Sequence, residues 1–412
     1  MMLDLDQLEQ MDIDQGPSDQ RYPIREIFSR FLSKYASSHS LSEEQWSAAQ
    51  CIAACKSGKL GYNISYCESC GHIEIHARSC NNRHCPCCQS SQEKKWVLAR
   101  NSELIEGCAY NHAIFTVPSE LYDLIYANQK ALYNLMFSCV SETLICLCRD
   151  KRYLGATPGI IMVLHTWGQQ LNYHPHIHCC LSGCGLTPSD TFAEGCHKGF
   201  LLPVKAVAKM FRGKFLEKLN HLYESGRLTL PVSGKDLANP HIWESFLDSL
   251  YRKEFLPFIK ETFNGNGNAI TYLARYAYRT AISNSRIENV TDQEVSFRYK
   301  DYKNGSETKT KTVSGEEFLH LFLQHILPKG FTRVRFAGYL SNCCKAKKLK
   351  LIHHLRNTIY RPNPVKGLRM DELMMLLYKR DICSCRECSQ KMIRIRTGGP
   401  PGRSVQKSST LK

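Results

Sequence analysis

The chain lacks any uninterrupted apolar run near the roughly 18 residues of a membrane-spanning helix, which argues against a span. Its first twenty residues contain no Lys, Arg or aromatic residue but six acids, the reverse of a signal peptide's basic start. Residues 1–20 therefore read as a mobile acidic arm. Acids are scarce in the whole chain, with 38 Asp+Glu against 54 Lys+Arg, a net charge of +16 and a pI near 9.0. Such an excess points to a polyanionic partner, because neutralised phosphates supply most sequence-independent nucleic-acid affinity. Internal repeats are absent. Cysteine, by contrast, is abundant: with a start unlike a signal peptide's, the 21 thiols are expected to be reduced, buried or metal-bound rather than disulfide-paired.

The cysteines concentrate in CESCGHIEIHARSCNNRHCPCC, where Cys67-x-x-Cys70 and Cys85-x-x-Cys88 are separated by fourteen residues. Each C-x-x-C places two thiolates on one tetrahedral ion, so these four are the expected ligands of a structural zinc. Cys55, His72, His76, Cys80, His84 and Cys87 are spare donors for a second ion or a different ligand set. Buried free thiols are the weaker alternative, since the segment has few apolar residues to bury them. A zinc deaminase would need H-x-E followed by P-C-x-x-C. His72-Ile73-Glu74 and Pro86-Cys87 begin that pattern, but Ser90 stands where its last cysteine belongs.

In His174-Pro175-His176-Ile177-His178, alternation along a strand puts the three imidazoles on one face. With a turn at Gln170–Tyr173, the preceding strand brings His165 opposite His178, Trp167 opposite His176 and Gln169 opposite His174. His176 and His178 are then the core metal ligands, with His165 or Gln169 as a third. Such an open N/O site suits Mg²⁺ or Mn²⁺ on a phosphate, or Zn²⁺ activating water. A metallo-hydrolase of the H-x-H-x-D-H type would continue with Asp and His, whereas Cys179-Cys180 follow here. About a hundred residues on, TYLARYAYR sets Tyr272 and Tyr276 at i, i+4 on one helical face, flanked by the phosphate-binding candidates Arg275 and Arg279. Tyrosines at this spacing more often serve packing. Tyrosine becomes a useful nucleophile when a metal polarises its electrophile.

Amphipathic helices are expected between Tyr22 and Leu60, a strand at HAIFTVP and helices through residues 121–148 and 204–223. NGNGN at 264–268 should be a turn or helix entry, and a hairpin should turn at Asn304-Gly305. The expected organisation is an arm at 1–20, a helical and zinc-binding domain at 21–100 and a catalytic domain at 101–290. An accessory region at 291–390 and a basic disordered tail at 391–412 complete it.

On these residues the chain resembles the HUH endonucleases, and within them the two-tyrosine transposases of rolling-circle insertion elements, the insertion sequence 91 family. The resemblance runs from about residue 40 to 390. FTVP (115–118) resembles the first motif strand, His176-Ile177-His178 the HUH signature, and YLARY (272–276) the two-tyrosine motif. YCESCG and SCNNRHCPCCQ are similar to the family's N-terminal zinc domain, and VLHTWGQ, HPHIHC, MFRGKFL, LPKGF and RFAGYL also read like the family. The resemblance implies an α+β fold, with a central antiparallel sheet backed by helices and a small zinc domain before it. It implies metal-dependent nicking and rejoining of single-stranded DNA at element ends and target, through Tyr272 or Tyr276 and a 5′-phosphotyrosine. It further implies a bacterial, cytoplasmic, nucleoid-associated protein without a nucleotide cofactor or membrane partner. A rolling-circle replication initiator and a non-catalytic zinc DNA-binding protein are the rival readings. The family pattern leaves Cys383, Cys385 and Cys388 of CSCREC unexplained. They are either half of a second knuckle, with no second pair in sequence beside them, or free thiols.

Overall fold

The computed structural model describes residues 23–194, 202–231, 236–255, 257–263, 277–278, 280–301 and 305–397. The fold is α+β, and among the described residues the strands form three sheets with antiparallel pairing throughout. Strands run in chain order as β1 (Tyr62–Tyr66), β2 (Ile73–Ala77), β3 (Tyr110–Thr116), β4 (Thr157–Trp167), β5 (Tyr173–Leu186) and β6 (Phe192–Glu194). They continue as β7 (Phe258–Phe263), β8 (Ile287–Val290), β9 (Glu294–Asp301), β10 (Glu307–Ser314), β11 (Val334–Gly338) and β12 (Ile393–Arg396).

Two compact units divide the chain, and the first is assembled from three separate pieces: residues up to 92, 282–323 and 367 onward. Its helices Pro23–Ser38 and Glu43–Ala54 are the two amphipathic segments expected before Leu60. The first buries Ile24, Ile27, Phe28 and Phe31 at helical spacing, and the second starts on a Ser42–Gln45 capping box. Phe28 meets Phe322 of helix Gly315–Leu323 edge-on at 5.1 Å, and Phe297 on β9 meets Phe318 of that helix at 5.8 Å. β9 and β10 form the expected hairpin, pairing Asp301 with Glu307. The unit's other sheet, β12-β1-β2, joins chain ends: Ile64 pairs with Ile395 on one side and Ile75 on the other. Part of the expected tail is thus a strand, and the expected accessory region is shared between the two units.

The second unit, residues 93–281 and 324–366, is built on the sheet β11-β4-β5-β3-β7, with β6 also on β5. Strict alternation separates the two faces of its central strands. Ile160, Met162, Leu164, Ile177, Cys179, Leu181, Ala113 and Phe115 all enter one apolar core, shared with helices Gln129–Arg149, Val204–Glu224 and Pro240–Tyr251. Gln129–Arg149 is long and apolar enough to cross a membrane, but its buried residues belong to this core. The other face carries Ile161, Val163, Cys180 and Tyr110 in a second cluster with Tyr339, Leu349 and Ile352. By the same parity His165, His176, His178 and His112 share that second face.

Candidate metal centres

The histidine hairpin forms as expected but in a tighter register. His165 lies opposite His176, and Val163 opposite His178, so the pairing is displaced by two residues from the one inferred. An even displacement leaves every side chain on its own face. His165 therefore still joins His176 and His178, and one ring nitrogen of each lies within 4.8 Å of the others. The expected partners of Trp167 and Gln169 are lost: a bulge after His165 sets Trp167 against Tyr173, and Gln169 belongs to the turn.

Tertiary contacts set that turn. Leu171 is fully buried in the left-handed region, φ 64°, a conformation costing about 1 kcal/mol for a bulky residue. Its carbonyl accepts from Gln324 Nε2 at 2.9 Å and His325 Nε2 at 3.0 Å. Thr166 Oγ1 donates to His325 Nδ1 at 3.2 Å, which fixes the neutral tautomer. Burial lowers the His325 pKa to about 4.

Hydrogen bonding also orients the three candidate ligands. His176 Nδ1 donates to the His174 carbonyl at 2.6 Å, leaving Nε2 a lone pair directed at His178 Nε2, 3.1 Å away. Burial, with His174 adding to it, lowers the His176 pKa to about 3, so the ring is neutral at neutral pH. His178 Nδ1 is 3.0 Å from His112 Nε2 on β3, the two rings lying nearly parallel. Burial likewise lowers the His112 pKa to about 4. His112 is a site residue that the sequence reading passed over. Its signal was a polar residue at an inward position of HAIFTVP. Beside the ligands, Tyr122 hydrogen-bonds His174 Nδ1, while Tyr133 and Tyr173 share a 2.6 Å hydroxyl contact at the apolar core. Three converging neutral nitrogens fit a divalent ion. Lacking carboxylate, the set suits Mn²⁺ better than Mg²⁺, which prefers oxygen.

Tyr272, Arg275, Tyr276 and Arg279, together with the NGNGN turn, lie outside the described residues. Next to them, Ala277 is buried in the apolar cluster on the histidine face, and Tyr278 packs edge-on against Trp96 at 6.1 Å.

In the first unit the single expected knuckle is replaced by two clusters. Cys85 and Cys88 converge with Cys55 and Cys80, while Cys67 and Cys70 converge with Cys385 and Cys388. In each set the four sulfurs lie within 4.8 Å of one another. The cause is geometric: Cys67 and Cys70 sit in the turn between β1 and β2, Cys85 and Cys88 beyond the far end of β2, and each pair meets different chain there. In the first set Cys55 Sγ is 3.4 Å and Cys80 Sγ 3.7 Å from Cys88 Sγ, and the Asn82 amide donates to Cys80 Sγ at 3.4 Å. Such packing drives the thiols apart in acidity. Cys55 is held down to about 3 by hydrogen bonds from its neighbours, Cys80 first.

Comparison with known proteins finds two family matches. Residues 27–117 match the family described as "Transposase zinc-binding domain", and residues 159–348 match the family described as "Putative transposase". Over 327 residues, 79% of this chain and 82% of the other, the sequence is 39% identical to "Putative transposase y4qJ" of Sinorhizobium fredii. It is 26% identical over 346 residues to "Transposase for insertion sequence element IS801" of Pseudomonas savastanoi pv. phaseolicola, covering 83% of this chain and 81% of that one. No solved structure matches the chain significantly.

Proposed function

Because the chain belongs to the insertion sequence 91 family of transposases, with an N-terminal zinc-binding domain, we propose that it moves its element by nicking and rejoining single-stranded DNA through tyrosine. The observation that carries this reading is the set of three buried histidines, His165, His176 and His178, converging from one hairpin. A divalent ion, Mn²⁺ or Mg²⁺, held by these residues would draw charge from a scissile phosphate and orient it. The residues around it have their own tasks. His112 and the His174 carbonyl hold His178 and His176 in orientation, and the phenol of Tyr122 holds His174.

The phenolic oxygen of Tyr272 or Tyr276 attacks phosphorus, and the bond to the 3′ oxygen breaks. A 5′-phosphotyrosine forms, and the phenol's proton ends on the released 3′-OH. The phosphodiester's energy stays in the new bond, so rejoining by the reverse step needs no nucleotide cofactor. The second tyrosine takes the other strand end, with Arg275 and Arg279 on neighbouring phosphates. The burial of Ala277 on the histidine face supports this assignment. The zinc unit and the chain's basic excess grip DNA at the element ends and target, in the bacterial cytoplasm at the nucleoid.

A covalent-adduct assay with single-stranded element ends tests the proposal. Tyr272→Phe and Tyr276→Phe should each retain partial reactions, and the double variant should form no adduct with unchanged thermal stability. An adduct from the double variant would refute the assignment, and cleavage in EDTA would refute the metal.

A further inference from the structure

We infer that Cys67, Cys70, Cys385 and Cys388 form a second structural zinc site, which fastens the C-terminal segment onto the N-terminal hairpin. Neither matched family region reaches Cys385 and Cys388, so this site extends beyond the zinc-binding domain as that family delimits it.

The two halves of the site repeat each other bond for bond. In the first, the Gly71 amide donates to the Cys67 carbonyl at 2.9 Å, and the Cys67 amide to the His72 carbonyl at 2.9 Å. In the second, the Ser389 amide donates to the Cys385 carbonyl at 2.9 Å, and the Cys385 amide to the Gln390 carbonyl at 2.7 Å. The residue after each pair is left-handed, Gly71 at φ 75° and Ser389 at φ 59°. Ser389 accepts a conformation that glycine takes more readily, as expected where the surroundings demand the turn. Each C-x-x-C thus forms the same knuckle, and two knuckles facing each other make a four-thiolate cage.

The spacing fits a metal rather than disulfides. Four thiolates at about 2.3 Å from a tetrahedral zinc stand about 3.8 Å from one another. Cys67 and Cys388 sulfurs are 3.4 Å apart and those of Cys70 and Cys385 3.6 Å, well beyond a disulfide's bond of about 2.05 Å. A tetrahedral all-sulfur set is the donor set of zinc or iron, and the absence of a vacant position makes it structural.

Fastening is what this segment requires. All four residues of β12 are exposed, so its pairing with β1 buries almost no apolar surface. Besides the cysteines, Met392 is the one other buried side chain in this small cluster, and Arg386 and Arg380 reach Glu74 on β2 at 3.0 and 3.5 Å. Such contacts are weak where they meet solvent. A bound ion couples its binding free energy directly to this fold.

Elemental analysis of the purified full-length protein should give two zinc ions per chain. The Cys385→Ser/Cys388→Ser variant should hold one, and amides of residues 393–396 should lose their protection from hydrogen exchange. Cys388→His, which keeps a ligand, should retain both ions. Wild-type protein reconstituted with cadmium-113 needs no variant and should show two resonances, both in the all-thiolate range. One zinc in the wild type, a single cadmium resonance, iron in place of zinc, or two ions kept by the double serine variant would each overturn the inference.

Discussion

In the cysteine clusters four sulfurs face one another and come from pieces of chain as distant as Cys67 and Cys388; in the histidine group three nitrogens come from one hairpin, His165 to His178. Four thiolates leave a tetrahedral ion no free position, whereas three imidazoles leave room for a substrate oxygen. The ligand count therefore separates a site that holds the fold from one suited to chemistry. The surroundings differ in the same sense. Among the described residues, the sulfurs of Cys67, Cys385 and Cys388 share their small buried cluster with Met392 alone, where a bound ion would stand in for a core. The imidazoles stand on a sheet whose other face is an extensive apolar core, so the hairpin persists without an ion.

The sharpest way to break this contrast is to remove one ligand from each kind of site. Cys55→Ser should release the first cluster's ion and destabilise its unit by several kcal/mol, seen as a lower melting temperature and chelator sensitivity. An unchanged melting temperature would remove the structural role. His178→Ala should keep the fold and salt-sensitive DNA binding while slowing adduct formation by about 10³-fold, the effect of several kcal/mol at the transition state. If the cysteine variant, at saturating DNA, lost more rate than the histidine variant, the assignment of roles would be reversed.

Acid should distinguish the units as well. The folded pKa of His325, about 4, lies below the ordinary 6.5, so the unfolded chain binds the proton more readily. Its contribution is then complete above pH 6.5 and is lost as pH falls through that value towards 4. The loss should reach about 3 kcal/mol at one pKa unit per 1.4 kcal/mol. His325→Gln should flatten this dependence in a denaturation series. A wild-type stability that is level between those pH values would contradict the buried neutral ring. The smallest effect belongs to His112. His112→Ala should weaken Mn²⁺ binding about 10- to 100-fold, as loss of a ligand's hydrogen-bond partner does, and His112→Gln should recover part of it. Calorimetric titration with equal affinities for all three proteins would leave His112 a packing residue.

Particular residues show how far sequence reasoning reached. The face shared by His165, His176 and His178 was legible because strand alternation and antiparallel parity are local rules that survive an even shift in register. The register itself was not, since Leu171 is held in its left-handed turn by Gln324 and His325, more than 150 residues later. His112 escaped for a similar reason: β3 meets β5 only through the order of strands in the sheet.

The cysteines divide along the same line. Their C-x-x-C spacing determined that the two thiols of each pair would lie together as one half of a possible ligand set, because two knuckle positions are set within a few residues of backbone. Which thiols converge was decided by the path of the chain, which carries Cys385 and Cys388 to Cys67 and Cys70, and Cys55 and Cys80 to Cys85 and Cys88. All thiolates are chemically alike, so nothing in a pair's own sequence names its partner. Helix periodicity, strand alternation and ligand type were written in neighbouring residues, while ligand sets, register and orienting contacts depend on the residues that tertiary folding brings together.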